Sequence, residues 1–313
     1  MGPIMTPEDK IIDMRKVEKD PMGLSDFHKM PDIYGVDIDK VGINRFRIPL
    51  KFKRKDGTVI MHDGEASMYI HFPKGKAGIN MSRLYEILQD ETDKTLVDHN
   101  LFKVILGRYR SDMRDTREEP LYKTSYLKFK FNYAMKQPAL KSERDGWQYY
   151  RTDLEGIENE KGEIRMYLTV RYEYSSTCPC SLTMSKQYEN EHALKLTDEG
   201  NGMAVPHSQR SEAKVTVEIP FGSDFFVEDL VKLLRLAIPT ETQSFVKRID
   251  EQAFALLNAQ NPMFVEHATR RISRVLNGDD RIIDWVASVE HWESLHSHNA
   301  VAVIRKGIPG GLS

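Results

Sequence analysis

The chain has 313 residues, enough for one large domain or two of about 150 residues. Its 45 Lys and Arg against 47 Asp and Glu leave a net charge of −2, which removes the electrostatic case for nucleic acid or an anionic membrane as partner. No apolar run approaches the roughly 18 residues of a membrane helix, the first twenty residues lack the apolar core of a secretory signal, and two cysteines with one residue between them make no disulfide framework. The expectation is a cytoplasmic protein.

Residues 1–30 read as a loosely structured arm. Val41, Ile43, Phe46 and Ile48 mark a strand within 36–52. Ala66, Met68, Ile70 and Phe72 fall on one face of a second strand that stops at Pro73. A glycine-containing stretch follows, with Asn80 or Ser82 placed to cap a helix through Leu84–Leu88. Leu101, Val104, Ile105 and Tyr109 recur at helical spacing. Leu127, Phe129, Phe131 and Tyr133 alternate with polar residues, as do Met166, Leu168, Val170 and Tyr172, giving two more strands. The second half repeats this order. A strand over 213–219 stops at Pro220. A helix over 226–237 is expected to be capped by Asp224. Helical periodicity returns over 250–258 and 262–276, and strands over 282–289 and 299–304 close the chain. The repeat is one of element order, without residue identity. It divides the chain into the arm 1–30, a first module 31–174 and a second module 175–313, each an antiparallel sheet with helices on one side.

Chemistry concentrates after the strand ending at Tyr174. Cys178 and Cys180 flank Pro179, and a disulfide across one residue would be strained. Two readings stand side by side, loop thiols without a role and a thiolate metal ligand, and the second needs partners from distant segments. His207 lies 29 residues on, at the start of a strand. His192 sits in a polar, charged stretch over 186–203 that reads as a solvated loop. On the helix over 262–276, Phe264, Ala268, Ile272 and Val275 form the apolar stripe. Glu266 points away from it, four residues before Arg270, and the plain reading is an exposed ion pair of about 0.3–0.5 kcal/mol. His296 and His298 share one face of an extended segment, as a proton-transfer or ligand pair or as a surface turn.

Seven separated motifs carry a resemblance. They are Met30–Pro49 (MPDIYGVDIDKVGINRFRIP), Lys76–Arg83 (KAGINMSR), Thr177–Ser181 (TCPCS), His207–Ser211 (HSQRS), Val246–Glu251 (VKRIDE), Asn261–Glu266 (NPMFVE) and Glu293–His298 (ESLHSH). In their order and flanks the chain resembles the type IB GTP cyclohydrolases. The resemblance implies an α+β tunnelling fold (T-fold): two tandem modules of antiparallel sheet with helices on one side. Such chains assemble into oligomeric barrels, a homotetramer being expected, with active sites at subunit interfaces. The implied reaction converts GTP and water to 7,8-dihydroneopterin triphosphate and formate. It uses one divalent metal per site (Zn, Mn or Fe(II)) and no organic cofactor.

Residue by residue, the resemblance puts the metal thiolate on Cys178, the metal histidine on His207 and a metal-site glutamate on Glu251. It puts the guanine anchor on Glu266 and a catalytic histidine on His296 or His298, with His296 preferred. Arg210, Lys247 and Arg248 are candidates for the triphosphate, beside Lys74, Lys76 and Arg270. Two departures stand out. Members of the family usually keep the cysteine pair and the histidine about a dozen residues apart, and the added residues here are the insertion at 186–203. Ser208 stands where Asn is usual. Other readings on the same fold are a cyclohydrolase giving a cyclic phosphate, a nitrile reductase with cysteine as nucleophile and NADPH as reductant, and a non-catalytic structural protein.

Overall fold

A computed structural model of the chain describes residues 17–19, 22–32, 34–192 and 204–312. Two short strands, β1 (Glu18–Lys19) and β2 (Ser25–Asp26), pair antiparallel and lead into a 3-10 turn at Phe27–Lys29. The part of the arm that is described is therefore ordered as a small ribbon. Then follow β3 (Ile38–Lys53), β4 (Val59–Phe72), α1 (Ser82–Lys94), α2 (His99–Asp112), β5 (Ser125–Pro138), β6 (Asp145–Glu158), β7 (Ile164–Thr177), α3 (Pro179–His192), β8 (Ser208–Ile219), α4 (Val227–Ala237), α5 (Arg248–Gln260), α6 (Val265–Asn277), β9 (Asp284–His291) and β10 (Ala300–Arg305). The strands run β3 to β10 in spatial order, so every hydrogen-bonded neighbour is also the sequence neighbour. The order strand, strand, helices, strand, strand thus occurs twice, over β3–β6 and over β7–β10. Among the described residues no helix is long and apolar enough to cross a membrane.

The chain forms two compact units. The first holds residues up to Lys53, Glu65–Lys128 and Gly156–Ile164. Its core joins Leu50, Met68 and Ile70 of the strands to Leu84 and Leu88 of α1 and Phe102, Ile105 and Leu106 of α2, all buried. Asn80 supplies the first contact at α1, its Oδ1 accepting from the Ser82 backbone N–H at 3.2 Å. Asp98 caps α2 by accepting from Leu101 N at 2.8 Å. Buried Arg110 donates to Glu158 at 2.7 Å and to the Tyr122 carbonyl at 2.8 Å, which satisfies a charge that burial alone would penalise.

The second unit holds Arg54–Gly64, Phe129–Glu155 and Arg165–Ser313. Val215 and Val217 of β8, Ala287 and Val289 of β9, and Leu230, Val231 and Leu234 of α4 are its fully buried interior. Three expectations change here. Helix α4 is capped not by Asp224 but by Asp229, three residues inside, whose Oδ2 accepts from Phe226 N at 2.9 Å. The buried stripe of α6 is Val265, Ala268, Ile272 and Leu276, one residue on from the expected one at its start and end. Glu266 and Arg270 are both exposed and form no ion pair. A strand absent from the sequence reading, β6, stands between β5 and β7.

Candidate active site at the end of the β7–β8 pair

β7 and β8 pair antiparallel up to Thr177 opposite Ser208. One step further, the Cys178 N–H donates to the His207 carbonyl at 3.3 Å. Residues 29 apart in sequence therefore face each other across one rung. The intervening segment leaves this end of the pair, which is why its length does not separate them. Its first part is helical. His192, read as part of a solvated loop, closes α3, with its Nδ1 2.9 Å from the Tyr188 carbonyl and its ring stacked on Tyr188. Residues 193–203 of the insertion lie outside the described residues.

Cys178 immediately precedes α3, and its carbonyl accepts from Leu182 N at 3.0 Å. Cys178 is half-buried and Cys180 exposed, and both are free thiols. Ser208 bonds sideways to Thr177 through their hydroxyls at 2.7 Å, closing the last rung.

His207 is oriented from three sides. Its N–H donates to Ser181 Oγ at 3.2 Å, and its Nδ1 lies 3.0 Å from Gln209 Oε1 and 3.9 Å from Glu293 Oε2. Gln209 is itself buried and donates through Nε2 to Ser176 Oγ at 2.9 Å. With that bond the amide oxygen faces the imidazole, and Nδ1 is the ring nitrogen placed to donate to it. A metal-ligating histidine commonly donates through its other nitrogen to such an acceptor.

Beside this rung an open cavity of about 450 Å³ is bounded by Ser208, Gln209 and Arg210 of β8, Thr242 of the loop before α5, and Glu251 and Phe254 of α5. Glu251 occupies the first turn of α5, where the helix dipole favours a carboxylate. Arg210 is exposed, with Glu173 Oε2 at 3.7 Å. Lys247 and Arg248 are exposed at the same helix start. In the first unit Lys76 is already neutralised by Asp115 at 2.8 Å and Glu119 at 2.6 Å.

Behind the cavity wall Tyr174 OH lies 2.8 Å from Nε2 of His291, a histidine only 2% exposed. Burial pushes the His291 pKa down to about 4 against the opposing charge of Glu266, so the imidazole is neutral near pH 7. Glu266 opens α6 and is exposed. His296 and His298 lie between β9 and β10, exposed, with rings stacked at 5.0 Å and 14°. Gln209, His291 and Glu293 escaped the sequence reading. Gln209 and Glu293 lie within quoted motifs, but only the fold shows that both reach His207. Among the described residues no three His, Cys, Asp or Glu side chains already converge as a metal cluster. The donor chemistry nevertheless fits a divalent ion, with a cysteine at a helix start one backbone rung from a histidine.

Comparison with known proteins decides the family. The model of the type I GTP cyclohydrolase FolE2 family matches residues 24–302. The chain belongs to the FolE2 family of type I GTP cyclohydrolases. The GTP cyclohydrolase FolE2 of Dinoroseobacter shibae is 41% identical over 274 residues, 86% of this chain and 70% of that protein. The FolE2 of Ruegeria pomeroyi is 40% identical over 273 residues, 86% of this chain and 69% of its own length. A hyper-thermostable uricase mutant superposes with a TM-score of 0.50 at 7% identity, over 88% of this chain and 94% of its own, a likeness of fold alone. The architecture is the T-fold, two tandem modules of antiparallel sheet with flanking helices. As a FolE2 enzyme the chain converts GTP and water to 7,8-dihydroneopterin triphosphate and formate, in a metal-dependent reaction.

Proposed function

We propose that Cys178, His207 and Glu251 hold the catalytic metal, that Glu266 anchors guanine, and that His296 or His298 is the proton donor. The reading rests above all on the rung that pairs the Cys178 N–H with the His207 carbonyl, with Gln209 Oε1 3.0 Å from His207 Nδ1. Cys178, His207 and Glu251 would hold a divalent ion there, and that ion would supply a water nucleophile near neutral pH, which attack on purine C8 requires. Thiolate, imidazole and carboxylate together accept Zn, Mn or Fe(II). The Glu266 side chain accepts from guanine N1–H and the 2-amino group. Adenine lacks that donor pair. The stacked His296 and His298 are exposed and free to protonate the imidazole nitrogen as the ring opens. Arg210, on the cavity wall, pairs with the triphosphate by charge-assisted hydrogen bonds, with Lys247 and Arg248 beside it. The working form is a homo-oligomer, a tetramer, in which neighbouring chains complete each site.

Chelated, anaerobically purified protein assayed with GTP tests this reading. Zn(II), Mn(II) and Fe(II) are added in turn, and formate and the fluorescence of the oxidised product are read. Cys178→Ala and His207→Ala are each expected to lose metal and formate release together. Glu266→Ala is expected to keep the metal while turnover of GTP falls by about 10²-fold or more, the size of effect seen when a site built around a polar substrate edge loses its partner. Full metal content in both ligand variants would sink the metal assignment, and unchanged kinetics would remove Glu266 from the site.

A further inference from the structure

We propose that Asp250 is a positioning residue for this reaction, locking the first turn of α5 so that Glu251 is held at the cavity; this rests on the reading of Glu251 as a metal-site carboxylate. Asp250 is 0% exposed. A carboxylate removed from water must find compensation inside the protein, and among the described residues no lysine or arginine side chain provides it here. Four neutral donors do. Oδ1 accepts from Lys141 N at 2.7 Å and Ser142 N at 2.9 Å, and Oδ2 accepts from Ser142 Oγ at 2.5 Å and Lys247 N at 2.9 Å. Two oxygens with about four acceptor directions are thereby filled.

The donors come from two places. Lys247 N belongs to the start of the same helix, and Lys141 and Ser142 belong to the turn between β5 and β6. One buried side chain therefore ties α5 to the end of the β5–β6 hairpin. The same hairpin end holds the loop that precedes the helix. Gln137 Oε1 accepts from Ser244 N at 3.0 Å, and the side-chain amides of Gln137 and Gln148 each donate to the Thr242 carbonyl at 3.0 Å. Gly146 at the start of β6 lets that loop approach, because a Cβ there would lie 2.2 Å from Ser244 Oγ. Thr242 and Glu251 both bound the cavity.

The consequence for chemistry is angular. Successive helical residues point about 100° apart, so burying Asp250 sets the direction of Glu251. A rotation of α5 by about 20° would swing the Glu251 carboxylate roughly 2 Å at the radius of a helix with its side chains. Metal–ligand distances tolerate about 0.2 Å. A helix start without this lock would lose the ligand geometry while keeping its fold. Nothing in the local sequence announces the role, since Asp250 reads as one more acid in a helix's first turn.

The test is a double-mutant cycle on the metal-loaded enzyme, with Asp250→Asn and Glu251→Ala alone and together. The readouts are metal affinity by chelator competition, kcat and KM for GTP, and thermal unfolding to verify folding. Asp250→Asn keeps the shape but presents donors to Lys247 N and Ser142 Oγ. We expect it to lower metal affinity by about 10- to 100-fold, as loss of a group that orients a metal ligand does, with kcat falling and KM for GTP held within about twofold. In the Glu251→Ala background it should add nothing to the loss of metal. Ser142→Ala removes one of the four bonds from an exposed turn. It should weaken metal binding about two- to tenfold with the fold intact, which decides the matter if Asp250→Asn does not fold. Normal metal affinity and kcat in folded Asp250→Asn, or an additive loss in the double variant, would overturn the positioning role while leaving the site reading in place. If Glu251→Ala itself binds metal and turns over normally, the site reading of Glu251 fails, and the positioning role falls with it.

Discussion

At the scale of single residues, the candidate site is built from neighbours whose contacts the motifs do not announce. His207 was legible in the sequence as a candidate, because an imidazole at the start of a strand, paired with cysteines upstream, has an obvious chemistry. What meets its Nδ1 is Gln209, two residues on. Gln209 is oriented by Ser176, and Ser176 bonds in turn to Ser211 at 2.9 Å. A glutamine reads as an ordinary polar strand residue until the register is known. The expected outcome for Gln209→Leu is a folded enzyme with metal affinity reduced about 10- to 100-fold, since the histidine then loses the acceptor that selects its tautomer. Gln209→Glu should retain most of the affinity, because a carboxylate accepts from Nδ1–H at least as well. Chelator competition on the two variants checks this, and equal affinity for Gln209→Leu and the parent would show that the tautomer is set elsewhere. His291 was missed for a different reason. It lies on a strand beside a more conspicuous histidine pair, and only its burial against Tyr174 distinguishes it.

At the scale of elements, the strands and helices that bury one apolar face were readable from periodicity, and those that do not were not. β6 points Gly146, Tyr150, Thr152, Leu154, Gly156 and Glu158 inward, while Trp147 and Tyr149 face outward. With glycines, a threonine and a glutamate among the inward residues and two aromatics outward, the alternation carries only a weak hydrophobic signal. Helix α3 buries only Ser185. It is held by local features, Pro179 at its first position and Gln187 donating to Glu191 at 2.9 Å, rather than by a stripe. Glycines mark where strands come close. In the first unit a Cβ on Gly42 would lie 1.9 Å from the Met68 carbonyl oxygen, a backbone atom of the neighbouring strand that cannot step aside. Gly42→Ala must therefore part β3 from β4 locally. The expected cost is about 1–3 kcal/mol, the range for overpacking in a close-packed interior. Chemical denaturation measures it, and a loss below about 0.5 kcal/mol would mean the two strands have room to adjust.

At the scale of the whole molecule, the second unit exposes apolar surface that solvent alone does not explain. Helix α5 buries only Asp250 and leaves Ile249 54% and Leu256 57% exposed, with Phe245 and Val246 exposed just before it. On β10, which has a neighbour on one side only, Val301 and Val303 are 58% and 66% exposed. A helix and its lead-in with four apolar residues outward and an unpaired strand edge are surfaces that soluble chains usually cover. The proposed tetramer would supply the cover, and because α5 also carries Glu251, assembly and catalysis would share one helix. Leu256→Glu separates the two. It adds a charge five residues beyond Glu251, outside the residues that bound the cavity. If other copies cover this face, the parent should scatter light as a tetramer. The variant should shift toward smaller species and lose formate release in parallel, recovering both as protein concentration rises. A variant that stays assembled and active would show that this face of α5 remains in water. A variant that dissociates yet keeps full turnover would show that each chain carries a complete site by itself.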